Sequence, residues 1–190
     1  MGYTKRTMLL LSLLTLFGMS GIGYLIINWF DGVPILPQLK GTVGYGWQLL
    51  YGAGYGLAVA LLALALIQLP FFEKSRRFFA QMITKLKPGI PEILLYSFCA
   101  AVGEEILFRA AIQQFWGIWL TSLLFIALHG YLNPLQWRMM IFGVFMVLMS
   151  AGIGYLMYFG LAASMMAHFV YDVLMFSFLS RLAVTDRTSS

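Results

Sequence analysis

Charge is scarce in this 190-residue sequence: Asp, Glu, Lys and Arg supply 10% of it, against 61% hydrophobic side chains. With a mean hydropathy of +0.86, that composition excludes a water-soluble domain of this size and puts the chain in lipid. Cysteine occurs once, at position 99, which excludes an internal disulfide and any cysteine-cluster metal site. Histidine occurs twice, so imidazole chemistry has only His129 and His168 to draw on. The sequence also lacks an internal repeat, a low-complexity linker and the HExxH zinc motif. Its net charge of +5 reads as a topology signal with attraction to anionic headgroups, and no nucleic-acid partner is implied.

Apolar runs cover about 8–30, 47–70, 91–112, 116–132, 137–159 and 161–180, most near the ~20 residues that cross ~30 Å of hydrocarbon. The pattern predicts an all-α polytopic membrane protein, a bundle of about six transmembrane helices. The first run is too long for a cleaved signal peptide and lacks a small-residue cleavage site, so it reads as a retained helix. If the spans alternate, Lys5, Arg6, Lys74, Arg76, Arg77, Lys85, Lys87, Arg138, Arg181 and Arg187 share one side against Lys40 on the other. Both termini are then cytoplasmic, in what reads as a bacterial cytoplasmic membrane. Between the second and third runs, Phe72, Phe79, Ile83 and Leu86 form one stripe of a basic helix lying in the interface. Pro91 and Glu92 then read as the first turn of the third span. Trp29, Trp47, Trp116, Trp119 and Trp137 sit at run ends like aromatic belts, and Gly52, Gly54 and Gly56 offer a close helix contact. The division is 1–90, two helices plus the interfacial one, and 91–190, a four-helix core.

That core holds Glu104, Glu105 and Arg109 on its first span, His129 on its second, and His168 and Asp172 on its last. A charge at the bilayer centre costs roughly 2.5–3.5 kcal/mol, so these groups must face one another. Glu104 lies about 12 residues before a turn near Trp116 and His129 about 13 after it, level in a helical hairpin at 1.5 Å per residue. His168 and Asp172 reach a similar depth by the same arithmetic. Glu105 and Arg109, four apart with the acid first, form an intrahelical pair, while Glu104 points about 100° away as the freer base. His168 and Asp172 are also four apart, so Asp172 is expected to hold the ring and fix its tautomer.

Three motifs carry a resemblance. Glu104-Glu105-Ile106-Leu107-Phe108-Arg109 matches E-E-x-x-x-R, Phe125-Ile126-Ala127-Leu128-His129 matches F-x-x-x-H, and His168-Phe169-Val170-Tyr171-Asp172 resembles H-x-x-x-N. Their order is similar to that of the CPBP family, which comprises the CAAX prenyl proteases and the bacteriocin-processing or ABI membrane proteins. The resemblance spans about residues 91–180. It implies that Glu104 with His129 activates a water for attack on a peptide carbonyl, and that His168 and residue 172 stabilise the oxyanion. Glu105 and Arg109 hold the first helix in place.

Asp172 stands where the motif has Asn, and an ionised carboxylate cannot donate to an oxyanion. Either Asp172 is protonated, or it keeps His168 a cationic donor. Metal-free chemistry is favoured; the alternative is Zn²⁺ or another divalent metal on Glu104, His129 and His168, two imidazoles and one acid with a position left for water. The implied partners are membrane lipids and a peptide or membrane-protein substrate, and the pattern implies no oligomeric state. Other functional readings are a non-catalytic scaffold or bacteriocin-immunity protein, or a proton-coupled transporter, which the lack of paired interrupted helices disfavours. Gly18-Met19-Ser20-Gly21 resembles the G-x-S-G of rhomboid serine proteases but lacks its helical context.

Overall fold

A computed structural model describes residues 4–77, 80, 88–133, 135 and 137–188, with side chains to Arg181. Among them the secondary structure is entirely helical: α1 (Lys5–Trp29), α2 (Ile35–Lys40), α3 (Tyr45–Ile67), α4 (Ile90–Glu105), α5 (Gln113–Leu128), α6 (Trp137–Leu156) and α7 (Leu161–Thr188). A π-helical segment, Ile106–Ile112, joins α4 to α5 without a break. The protein is an all-α polytopic membrane protein. Phe79, Ile83 and Leu86 of the expected interfacial stripe lie outside the described residues; Phe72 is buried, its ring 5.9 Å from Phe142.

The boundaries follow local chemistry. Thr4 caps α1 by accepting from Thr7 N at 3.2 Å. At the start of α4, Gly89 is the N-cap, Pro91 occupies the first turn, and Glu92 accepts from Gly89 N at 2.8 Å, as the Pro-Glu pair predicted.

Among the described residues five stretches are long and apolar enough to cross a membrane, where the hydropathy pattern suggested six. The difference lies in Ile90–Leu128, 39 residues that would extend about 58 Å as a straight helix. Instead the chain folds back at Gly117, whose φ of 72° and ψ of 172° only glycine adopts without strain. Three cross-contacts share that centre: Glu104 with His129, Phe108 with Phe125, and Arg109 with Ser122. The hairpin near Trp116 is therefore present, but its return arm of about 11 residues rises only about 16 Å, half a hydrocarbon core. It ends at His129, where residues Ala127 to Gly130 are exposed.

One end of the bundle pairs Lys5 with Glu92 and lays Arg138 over the Phe71 ring at 5.2 Å. The other joins Thr42 N to Phe159 O at 3.0 Å and Val33 N to Gln114 Oε1 at 2.7 Å. Between them α3 packs on α7, where a Cβ on Gly52 or Gly56 would strike the carbonyls of Ala163 and Ala167, next to His168. Gly54 faces open space. On the other flank, a Cβ on Gly103 would strike Thr15 O of α1. Close backbone approach on both sides thus fixes α4 and α7, the helices that bear the acidic residues and His168. The five tryptophans are all more than half exposed, as an aromatic belt requires.

Candidate active site

Glu105 is fully buried and bonded on both carboxylate oxygens. Its Oε2 accepts from Arg109 Nε at 3.3 Å, and its Oε1 accepts from His168 Nδ1 at 2.9 Å. The intrahelical pair is as the spacing predicted. The second bond comes from α7, 63 residues away, and it divides the labour differently from the expected His168–Asp172 arrangement. A carboxylate only accepts, so the proton lies on Nδ1, and Glu105 fixes the ring. Asp172 Oδ2 instead faces Nε2 at 3.6 Å, beyond direct hydrogen-bond length.

Glu104, one residue and about 100° away, points to the other side of α4. Its Oε2 lies 3.7 Å from His129 Nε2 and 3.9 Å from His168 Nε2, is buried, and accepts no hydrogen bond from the described residues. His129 Nδ1 lies 2.8 Å from the carbonyl of Phe125, one turn back, which makes Nδ1 the donor and leaves Nε2 as the neutral ring's acceptor. Phe125 buttresses both imidazoles, with ring centroids 4.3 Å from His129 and 5.9 Å from His168. It is a wall of the site as well as packing.

Three carboxylates, Glu104, Glu105 and Asp172, thus stand within 4 Å of His168. His129, with 39% of its side chain exposed against 9% for His168, occupies the mouth of the site. All six residues selected from the sequence come together from three segments of chain. Among the described residues no three His, Cys, Asp or Glu side chains are arranged to hold a metal ion. Ser20 of the G-x-S-G-like run makes no hydrogen bond to either histidine.

Around Arg109 are partners that no motif flagged. Its guanidinium donates to Ser150 Oγ of α6 at 2.6 Å, to Ser122 Oγ at 3.3 Å and to Gln113 Oε1 at 3.4 Å, and lies 5.5 Å from the Phe125 ring. A serine or glutamine in an apolar run is a weak signal alone; an intramembrane arginine demanding acceptors is the signal that could have found them.

Residues 86–174 match the family model for type II CAAX prenyl endopeptidase Rce1-like proteins. Over that stretch, which carries the site, the chain is similar to the Rce1-like family. All six site residues fall inside that range, while α1, α2 and α3 precede it. The chain is also 37% identical over 87 residues to the uncharacterized protein YpbD of Bacillus subtilis (strain 168). That alignment covers 45% of this chain and 44% of YpbD, so the chain matches less than half of the relative's length. No solved structure matches the chain. The matched segment contains α4, the hairpin, α6 and the part of α7 bearing His168 and Asp172, with α1 and α3 packed on it from outside.

Proposed function

We propose that the protein is an intramembrane endopeptidase that hydrolyses a peptide bond in a membrane-associated or lipidated peptide, with water activated by Glu104 and His129. One observation carries the reading: a buried carboxylate oxygen without a hydrogen-bond partner among the described residues faces two imidazole nitrogens at 3.7 and 3.9 Å. Burying such an oxygen unsatisfied is costly, and gaps of that length suit a bridging water.

Each step uses the chain's own residues. A water between Glu104 Oε2 and His129 Nε2 points one hydrogen at each, leaving a lone pair for the substrate carbonyl carbon. Glu104 takes the proton as the water oxygen bonds to that carbon. The resulting oxyanion accepts from Nε2–H of a cationic His168, whose Nδ1–H is held by Glu105. When the tetrahedral intermediate collapses, the C–N bond breaks and Glu104 returns its proton to the leaving amine. The products are a carboxylic acid and an amine, and Glu104 is a carboxylate again. Asp172 lies too close to Nε2 to be a bystander; its negative charge supports the imidazolium. The divalent-metal alternative would draw on Glu104, His129 and His168, which are not arranged as a metal-holding group, and no step above is routed through a metal.

Lys5 and Arg138 share an end of the bundle, which on the positive-inside rule is cytoplasmic, with the N-terminus there. α7 runs back to that end and brings the C-terminus with it. A bacterial cytoplasmic membrane agrees with the Bacillus relative.

The test is cleavage of a panel of hydrophobic and lipidated peptides by detergent-purified protein, with and without a chelator, beside Glu104→Gln. Cleavage that resists chelator and vanishes in the folded variant is the expected result. Cutting that survives Glu104→Gln would remove Glu104 from the mechanism, and loss of cutting with chelator alone would move it to metal chemistry.

A further inference from the structure

α6 carries none of the motif residues, yet it makes the shortest hydrogen bond that Arg109 forms. Ser150 Oγ accepts from Nη2 at 2.6 Å; Arg109 Nε donates to Glu105 Oε2 at 3.3 Å; and Glu105 Oε1 accepts from His168 Nδ1 at 2.9 Å. All four side chains are at least nine-tenths buried, so water cannot replace a lost partner. We propose that Ser150 is a positioning residue for His168, acting through Arg109 and Glu105, and that it couples α6 to the oxyanion side of the site.

The geometry explains why this one serine governs the relay. The guanidinium is a rigid planar fork, so fixing Nη2 fixes the direction of Nε–H and with it the carboxylate plane of Glu105. That plane sets the direction of His168 Nδ1–H and therefore where Nε2 points, 3.9 Å from Glu104 and 3.6 Å from Asp172. Ser122 and Gln113 share the other terminal nitrogen, Nη1, at 3.3 and 3.4 Å, and hold it more loosely. Without the Ser150 hydroxyl the fork can pivot on Nη1, and the error reaches His168 two residues away along the relay. A misplaced oxyanion donor weakens the transition state more than the bound substrate.

The proposal rests on the peptidase reading for its kinetic consequence but not for its structural one, and the experiment reads both. Because the chain has two histidines, imidazole-¹⁵N labelling gives one set of ring signals for His168 and one for His129. In Ser150→Ala, kcat should fall about tenfold with KM unchanged. The His168 Nδ1 signal should move toward that of a weaker hydrogen bond while the His129 signals stay in place. Ser150→Thr, which keeps the hydroxyl, should restore both readouts, and its isostere Ser150→Val should not. Equal behaviour of the Thr and Val variants in both readouts would overturn the proposal. So would a Val variant that unfolds where Thr folds, because Ser150 would then serve the fold and not His168. If no peptide is ever cut, the peptidase reading falls, while the ¹⁵N comparison still decides whether Ser150 sets the His168 ring.

Discussion

Replacing Arg109 with Met keeps much of the side chain's volume and removes its charge, four hydrogen bonds and its place beside the Phe125 ring. The size of the effect is set by what is left behind. Glu105 has no solvent exposure, and without Arg109 its carboxylate keeps His168 as its partner. Breaking a buried ion pair from one side costs about 3–5 kcal/mol. The surviving His168 contact at 2.9 Å places this case at the lower end, about 3 kcal/mol. At about 2–4 °C per kcal/mol for a chain of this length, the melting temperature in a fixed detergent should fall by about 6–12 °C. The double replacement Arg109→Met/Glu105→Gln removes both charges, and the carbonyl of the introduced amide can still accept from His168 Nδ1–H. Its stability should return to within about 1 kcal/mol of the parent, which with any loss in Glu105→Gln alone makes the coupling between the sites at least about 2 kcal/mol. Thermal melts of the parent, both single variants and the double variant measure that coupling directly. If the double variant melts no higher than Arg109→Met, the loss lies in packing against Phe125 and the uncompensated-charge reasoning is wrong.

Two further outcomes test the neighbourhood of His168. Asp172→Asn supplies an amide that can donate to the oxyanion while Glu105 still holds the ring, so kcat should stay within about tenfold of the parent, whereas Asp172→Ala should lose on the order of a hundredfold; an Asn variant as inactive as Ala would show that the negative charge is indispensable. Gly56→Val drives a side chain into the Ala167 carbonyl beside His168 and should cost about 1–3 kcal/mol together with much of the activity. Gly54→Ala, two residues away and facing open space, should stabilise α3 by roughly 0.5–1 kcal/mol without touching activity, which paired melting curves will show.

The legible parts of this molecule were those governed by one helix at a time. Length and apolarity gave away the spans, and rise per residue placed Glu104 level with His129, because both quantities are properties of an isolated helix. The same arithmetic overstated the fourth run. Residues 116–132 are apolar enough to cross, but Gly117 uses the start of the run for a reversal and the helix already ends at Leu128. Hydropathy counts residues and cannot tell a crossing helix from a half-length arm.

Where the reading along one helix misassigned a partner, the competing contact came from another helix. Four-residue spacing offered His168 to Asp172, yet a buried charge takes whichever partner reaches it with the better geometry. At 2.9 Å against 3.6 Å, Glu105 across the interface prevails. The arrangement has a functional consequence. With Nδ1 committed to Glu105, the Nε2 face is turned toward Glu104 and Asp172, the side on which the proposed mechanism places the scissile carbonyl. Had Asp172 held the ring through Nδ1, as a pair on one helix would suggest, Nε2 would be aimed away from Glu104. The second glutamate of the E-E-x-x-x-R run therefore orients the imidazole whose Nε2 faces the first, and the adjacency of the two acids follows: a 100° step on one helix presents one carboxylate to Nδ1 and the other to the Nε2 side.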